Sequence, residues 1–354
     1  MGIAGILTES RVSEMRYAPI SVKTSAMTES SIESEAGSPG DILLCCDDVS
    51  VVLEFFRDRL EFRLESIYPA DAPRTATMSG QGLRLKLIAN DTAGDIPDAL
   101  PANQPSLIVT RAGADGFGTG RAGMQYRDLI PDRYGGRFIA SHIRILEGGP
   151  VPDYVHHHHI RFQLIYCVNG WVRVAYEDQG EPMTMQAGDC FLQPPHIRHR
   201  VLECSDRMEV VEIACPAEHA TLVEHEIALP TGIIDRSRDF NGQQFVFHQG
   251  ESTPWKPWTA PGFECRDTGI AGATGGVVSA LTVRPAGPGE PASLSHDAEL
   301  RFLFVRQGSA MLDCGDDGSF PLGAADACAI PPGLDCELRD ASRDLLFLEV
   351  CSPA

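Results

Sequence analysis

The chain alternates short apolar runs with Gly, Pro and Asp turns over most of its length, and one early stretch carries a helical period. Residues 42–46 form an apolar run that predicts a strand, and residues 51–62 place their apolar side chains at helical spacing. Residues 63–68 and 82–88 predict two further strands, the second by strict alternation of leucine with basic residues. Together they predict a small α+β module of βαββ order across residues 41–112.

The segments around this module have a different character. Residues 1–40 are rich in Ser, Glu and Thr without a period and predict a flexible N-terminal segment. Residues 113–124 are rich in glycine and predict a linker. The first residues lack the basic and apolar regions of a signal peptide, and no run approaches the roughly 18 to 20 apolar residues of a membrane-spanning helix. We therefore expect a cytoplasmic protein.

The remainder of the chain repeats itself at an offset of about 138 residues. Arg127-Asp128 before Gly135-Gly136 recurs as Arg266-Asp267 before Gly275-Gly276, Gly170 recurs as Gly308, and Pro194-Pro195 recurs as Pro331-Pro332. Each copy consists of short runs of Val, Ile, Leu and Phe between turns, which is typical of a β-sandwich or barrel. The repeat predicts two tandem β-barrels, at residues 125–228 and 229–354.

The composition limits the kinds of binding partner that we expect. The 354 residues carry a formal net charge of −20, which opposes binding to nucleic acid or to an anionic membrane surface. A small molecule is the expected ligand. The 11 cysteines are scattered rather than paired in CxxC motifs, so we expect reduced thiols that pack as small apolar side chains.

A histidine cluster in the first copy suits a metal ion. His157, His159 and Gln163 have equal parity along the chain, so on a strand their side chains would share one face, and His199 follows a Gly-Asp turn. Three neutral imidazoles and an amide oxygen suit Fe(II), Mn, Ni, Zn or Cu. Four such ligands leave about two positions open on an octahedral ion, as in catalytic sites.

The spacing of these residues resembles the two motifs of the cupin superfamily. The first motif has His-x-His, then Glu and Gly, and here Gln163 occupies the glutamate position before Gly170. The second motif matches at Gly188, Pro194 and His199, while His196 replaces its glycine. The resemblance covers about residue 125 to the C-terminus and implies a mainly β bicupin. The N-terminal module weakly resembles half of a glyoxalase-like, vicinal-oxygen-chelate protein, for which we expect a packing or oligomer-interface role.

The family spacing leaves two registers open, because His156 and His158 also satisfy it. We favour His157 and His159, since their parity with Gln163 is unbroken. Candidate residues around the ion are His196, Arg161, Tyr166 and His142, with His196 the best placed to orient a ligand or to act as acid or base.

The second copy has lost these ligands. The residues aligned with His157, His159, Gln163 and His199 are Ser295, Asp297, Arg301 and Cys336. An arginine would repel a cation, so we expect a degenerate barrel without metal.

The resemblance implies an enzyme, and three hypotheses follow. The leading one is an Fe(II) dioxygenase that cleaves a carbon-carbon bond of a small anionic chelating substrate, with dioxygen as co-substrate. The second uses the ion as a Lewis acid in an isomerase, lyase or hydrolase. The third is a ligand-binding cupin without catalysis. In each case we expect one divalent ion per chain and a homo-oligomer.

Overall fold

The computed structural model describes residues 41–70, 72–90, 99–113, 116–119, 124–287 and 291–354. The predicted flexible segment at residues 1–40 lies outside these ranges, as does half of the predicted linker. Within them the chain is mainly β, with one helix longer than a single turn. The predicted fold class is confirmed.

The N-terminal module contains the predicted elements and one more strand. Its helix begins after Asp48, whose carboxylate accepts hydrogen bonds from the backbone of Ser50 and Val51, and it ends where Glu61 turns left-handed at φ 58°. The strand missed by the sequence prediction, at residues 75–80, lies between the two predicted strands that follow the helix. In chain order the elements are β1 (Asp41–Cys46), α1 (Val49–Leu60), β2 (Arg63–Tyr68), β3 (Thr75–Gly80) and β4 (Leu83–Ala89).

The first β-domain follows two short strands. Those strands are β5 (Ile108–Thr110) and β6 (Gly118–Thr119). The domain itself contains β7 (Gln125–Asp128), the helical turn α2 (Arg133–Gly136), β8 (Ile139–Ile145), β9 (Gly149–Pro150), β10 (His156–His158), β11 (Phe162–Asn169), β12 (Trp171–Tyr176), β13 (Met183–Gln186), β14 (Cys190–Gln193), β15 (His199–Cys204), β16 (Met208–Cys215) and β17 (Thr221–Val223).

The second β-domain repeats this order. It contains β18 (Val246–His248), β19 (Lys256–Pro257), β20 (Phe263–Asp267), α3 (Ile270–Ala273), β21 (Ser279–Pro285), β22 (Ala292–Ser293), β23 (Leu300–Gln307), β24 (Ala310–Asp313), β25 (Ser319–Leu322), β26 (Ala327–Ile330), β27 (Glu337–Arg339) and β28 (Leu346–Ser352), with 3₁₀ turns at Gly250–Ser252 and Gly315–Asp317. β11 and β23 begin 138 residues apart, as the repeat predicts.

Each β-domain is a jelly roll of two antiparallel sheets rather than a closed barrel. In the first domain β8, β11, β14 and β16 belong to one sheet, and β10, β12, β13, β15 and β17 belong to the other. The second domain divides in the same way. The two domains share one apolar core, in which Phe162 and Leu164 of the first meet Phe302 and Phe304 of the second.

The domains also exchange strands. β5, which precedes the first domain, pairs with β26 of the second, and β18, which precedes the second domain, pairs with β14 of the first. Each jelly roll is therefore completed by a strand that lies next to the other domain in sequence. The predicted bounds of the domains, which place β18 wholly with the second barrel, stay predictions.

The N-terminal module extends one sheet of the first domain. β2 pairs with β17, which pairs in turn with the histidine-bearing strand β10. A hydrogen bond between His225 Nε2 and the Leu64 carbonyl reinforces this junction. The resemblance of this module to a glyoxalase-like half stays a prediction. Among the described residues, none of the helices is both long and apolar enough to cross a bilayer.

Candidate metal centre

Three buried histidines of the first domain converge inside the jelly roll. His156 and His158 come from β10, and His199 begins β15, the strand that pairs with it. One ring nitrogen of each lies within 4.8 Å of the others, and the side chains are buried. We call these three residues the inner triad. A divalent ion can bind three imidazoles so gathered.

Hydrogen bonds at Nδ1 orient all three rings. His156 Nδ1 is 2.8 Å from the Tyr154 carbonyl, and His199 Nδ1 is 3.1 Å from the Ile197 carbonyl. His158 Nδ1 is 3.1 Å from the hydroxyl of the buried Thr221. A carbonyl acceptor fixes the tautomer with the proton on Nδ1, which directs metal ligation to Nε2.

Gln163 lines the same cavity as the inner triad. Its side chain is buried, and its Oε1 has no hydrogen-bond partner in the described part of the chain. A buried amide oxygen without a partner is costly, and coordination of an ion would satisfy it. The donor set of three imidazoles and one amide oxygen thus fits a divalent metal.

The structure brings His156 and His158, the alternative pair, to the cavity rather than His157 and His159, the favoured pair. β10 ends at His158, and after a break at residues 159–161 the chain enters β11, which belongs to the other sheet. Parity cannot be carried across this break, so Gln163 shares the cavity with His156 and His158 rather than with His157 and His159. The structure therefore brings His199 together with His156 and His158 and not with His157 and His159, whose role as ligands beside His199 stays a prediction.

His157 and His159 lie on the outer side of β10 with His196. One ring nitrogen of each lies within 4.8 Å of the others, and we call these residues the outer triad. His157 is half-buried, whereas His159 and His196 are exposed. Burial, followed by the nearby Arg198, His159 and His196, lowers the pKa of His157 to about 4, and burial with His159 and Arg198 lowers the pKa of His196.

The other predicted site residues lie away from the cavity. The Arg161 guanidinium forms a 2.9 Å ion pair with Glu299 of the second domain. Tyr166 is fully buried in the core between the domains, where burial raises its pKa. His142 lies on the face of β8 that packs against Phe304, and its Nε2 is 2.8 Å from Glu209. On these strands the neighbours of opposite parity, Ser141 and Ile165, line the cavity instead.

The cavity around the inner triad has a volume of about 1060 Å³, including its mouth. Its walls are mostly apolar side chains of both sheets, and Pro69 and Ala70 of the N-terminal module contribute to them. The polar groups beside the triad and Gln163 are Ser141, Tyr126, Tyr176, Gln193, Glu212, His219 and Thr221. The space suits a small molecule held mainly by shape and by a few polar contacts.

Several of these residues escaped the sequence prediction. Thr221 supports His158, and Gln193 Nε2 donates to the Tyr176 hydroxyl at 2.9 Å. The Tyr176 ring in turn stacks on His199 with centroids 5.8 Å apart. The alternation of side chains along β12, β14 and β17 indicates in the sequence that these residues face inward. No sequence motif marks them as part of a site, so they were not predicted.

The sequence of this domain matches a known family model. The model described as "Cupin domain" matches residues 141–213, a range that contains the inner triad, Gln163 and the outer triad. These residues form a cupin domain. No curated protein sequence matches the chain.

Solved structures show that the tandem arrangement is also known. Protein Ylba from E. coli superposes with a TM-score of 0.52 at 8% identity, covering 72% of this chain and 94% of its own. The putative glyoxylate induced protein from Pseudomonas aeruginosa gives 0.51 at 12% identity, covering 73% and 93%. Salicylate 1,2-dioxygenase from Pseudaminobacter salicylatoxidans gives 0.54 at 15% identity, covering 74% and 88%. At these identities the likeness shows a shared bicupin fold.

The second half of the bicupin fills the corresponding positions differently. Arg301, aligned with Gln163, forms a buried ion pair with Glu349 at 2.6 Å, and Glu349 also accepts from Trp258 Nε1 at 3.0 Å. Cys336, aligned with His199, forms a disulfide with Cys314. That disulfide contradicts the expectation that all thiols are reduced. It forms because β24 and β27 pair Asp313 with Glu337, which brings the next residues opposite each other with a Cα separation of 4.2 Å.

Proposed function

We propose that the protein is a mononuclear Fe(II) dioxygenase that cleaves a carbon-carbon bond in a small anionic chelating substrate. The observation that carries this proposal is the inner triad, whose three imidazoles converge at a cavity with Gln163 beside them. Three or four protein ligands leave coordination positions open for a substrate, which distinguishes catalytic metal sites from closed structural ones.

The protein groups that would hold the ion are all neutral. His156, His158 and His199 have acceptors or a hydroxyl at Nδ1, and Gln163 replaces the carboxylate that the family motif has at this position. An iron(II) ion held here would supply Lewis acidity and one-electron redox chemistry towards dioxygen. Because the four ligands bring no charge, they leave the charge of the ion uncompensated within its own coordination set, with Glu212 on the cavity wall and Asp153 3.7 Å from His156 Nδ1 as nearby carboxylates. This favours an anionic oxygen chelator as a further ligand.

The cavity supports a compact, partly apolar substrate. Met124, Ile143, Val174, Met185 and Phe191 are among the side chains that enclose it. Apolar walls lower the local dielectric next to the triad, which strengthens electrostatic interactions there. Salicylate 1,2-dioxygenase, one structure of which contains gentisate, shares the bicupin fold at a TM-score of 0.53 and 15% identity, and gentisate illustrates the proposed substrate class.

Oxygen uptake by the reconstituted protein tests the proposal. Protein purified without a histidine tag is stripped of metal, loaded with Fe(II), and assayed against hydroxybenzoates, catechols and 1,3-dicarbonyl compounds. We expect oxygen consumption and ring- or chain-opened products with at least one of them. His199→Ala should lower turnover by more than about 100-fold, beyond the effect of removing an outer hydrogen-bond partner of a ligand. His225→Gln, which removes an imidazole outside both triads, should leave it unchanged.

Two results would favour one of the alternative functions over the dioxygenase. Anaerobic turnover with Zn or Mn and no oxygen uptake with Fe(II) would identify a Lewis-acid isomerase, lyase or hydrolase. Ligand affinity that survives His199→Ala and metal removal would identify a binding protein. A homo-oligomeric state and a cytoplasmic location remain predictions, which sizing of the purified protein and cell fractionation would test.

A further inference from the structure

The run of four histidines faces two ways. His156 and His158 point into the cavity from β10, while His157 and His159 lie on its outer side beside His196. The ring centroids of His159 and His196 are 4.7 Å apart, and that of His157 lies 6.1 Å from each. One run of sequence thus supplies histidines to two separate clusters on opposite faces of a strand.

The ring nitrogens of the outer triad lie almost close enough together to bind one ion. Its candidate ligand nitrogens lie within 4.8 Å of one another, and nitrogens bound to one zinc ion at about 2.1 Å can be at most about 4.2 Å apart. His159 and His196 are exposed, so small rotations of their side chains close the gap without disturbing the core. No large rearrangement is needed.

His196 occupies a backbone position that suits glycine. Its φ is 65°, in the left-handed region, and the second cupin motif has glycine at this place. The chain therefore carries a histidine at a position where the backbone conformation alone favours glycine. This imidazole lies against His159.

The third member of the cluster has an unsatisfied nitrogen. His157 Nδ1 is buried and lacks a hydrogen-bond partner among the described residues. A buried ring nitrogen without a partner is rare in folded proteins and calls for a ligand. This observation is independent of the spacing of the three rings.

We propose that the outer triad is a second divalent-metal site, selective for ions that prefer imidazole, such as Zn²⁺. The His196 amide donates to the His158 carbonyl at 3.1 Å, so the outer site spans β10 and the loop that leads to His199. Those are the two segments that carry the inner triad. An ion on the outer triad clamps them together from behind the cavity.

Zinc stoichiometry tests the second site without reference to catalysis. Untagged, chelator-treated protein is titrated with Zn²⁺ and the bound metal is measured after gel filtration. We expect two ions per chain in the wild type, one in His199→Ala, one in His196→Gly, and none in the double variant. His225→Gln serves as the matched control and should keep two. Glycine fits the local φ, so His196→Gly should fold at least as well as the wild type.

Thermal stability provides the second readout. In the His199→Ala background, one equivalent of Zn²⁺ should raise Tm, and the added His196→Gly should abolish the rise. The proposal is overturned if His196→Gly binds as much zinc as the wild type. It is also overturned if the second ion fails to saturate near stoichiometric concentration, which would mean an adventitious ion only.

Discussion

His156 lies directly opposite His199 across the antiparallel pair of β10 and β15, with ring centroids 4.2 Å apart. Directly opposite residues of such a pair have their side chains on the same face of the sheet. Two ligands of the candidate metal are thus positioned by backbone hydrogen bonding rather than by flexible loops. This placement is expected to make the site preformed, because the sheet holds it before any ion binds.

Removing the hydroxyl beside His158 should weaken metal binding. Thr221→Val keeps the shape of a fully buried side chain but deletes the partner of His158 Nδ1. Loss of an outer hydrogen bond to a metal-binding histidine typically costs about 10- to 100-fold in affinity. Competition with a calibrated chelator measures the change. Thr221→Ser, which keeps the hydroxyl, is the control, and equal affinities for the two variants would contradict the role assigned to Thr221.

A carboxylate at position 163 should tighten metal binding and weaken binding of anions. Gln163→Glu lowers the charge of the loaded site by one, so we expect affinity for an anionic chelator such as gentisate to fall by at least about 10-fold, equivalent to about 1.4 kcal/mol. Calorimetry on the metal-loaded proteins measures both affinities.

The neighbouring glutamine provides the control for charge alone. Gln193 lies opposite Gln163 and lines the same cavity, and its Nε2 donates to Tyr176. Gln193→Glu adds the same charge without a new metal ligand, so it should tighten metal binding less than Gln163→Glu does. Tighter anion binding by Gln163→Glu would show that the neutral amide is not what favours an anionic ligand.

Breaking the buried ion pair of the second half should destabilise the protein without touching the metal. Glu349→Ala leaves the guanidinium of Arg301 and the indole N–H of Trp258 without their shared acceptor. Removing one partner of a buried pair costs about 3 to 5 kcal/mol. Chemical denaturation measures the loss. Glu337→Ala, which breaks an exposed pair with Arg339, should cost at most about 1 kcal/mol. Similar losses for both variants would contradict the prediction.

Acid should destabilise the fold partly through His248. This residue of the exchanged strand β18 is buried, and burial is the main cause that lowers its pKa, with Asp189, Arg266 and Asp267 nearby. Its folded pKa lies below the unfolded value of about 6.5, so as pH falls through that value the unfolded state takes up the proton first. Stability from neutral His248 is therefore complete above the unfolded pKa and declines below it.

The pH dependence of unfolding isolates this contribution. Denaturation of the wild type and His248→Gln between pH 8 and pH 5 should show a constant difference above pH 7. Below it the wild type should lose stability more steeply, by at most about 1.4 kcal/mol per pH unit for one proton. Parallel curves over the whole range would remove His248 from the explanation.

Much of the fold could be predicted because it is written in local patterns. The internal repeat predicted the duplicated β-domains, and the helical period at residues 51–62 predicted α1, which spans Val49–Leu60. The strand at residues 75–80 escaped because Thr, Ser, Met and Gly dilute its apolar alternation. Pairing between β2 and β17 joins residues about 150 apart, and local periodicity carries no information on such contacts.

The sequence predicted where along the chain the candidate site lies, but not which face of β10 carries it. His199 and Gln163 line the cavity as the motif implies, but the choice between His156 with His158 and His157 with His159 depends on where β10 ends. A strand that breaks and passes to another sheet resets the parity of its side chains. Tyr166 shows the same limit, because the burial pattern of β11 does not reveal which of its two buried faces meets the cavity. Arg161 lies in the break before β11, where strand parity gives no direction for its side chain.

The strand exchange gives the second half a structural role in the folding of the first. Val246 to His248 form the outer edge of the first domain, and Ile108 to Thr110 do the same for the second. A gene fragment ending between the halves would leave the half that carries the inner triad with a bare sheet edge and with an uncovered apolar surface around Phe162. The half that lacks the motif histidines is thus indispensable to its twin, and we expect the two to unfold in a single transition. Each half supplies the other with an edge strand and with part of its apolar core, so the absence of ligand residues from the second half leaves its packing role intact.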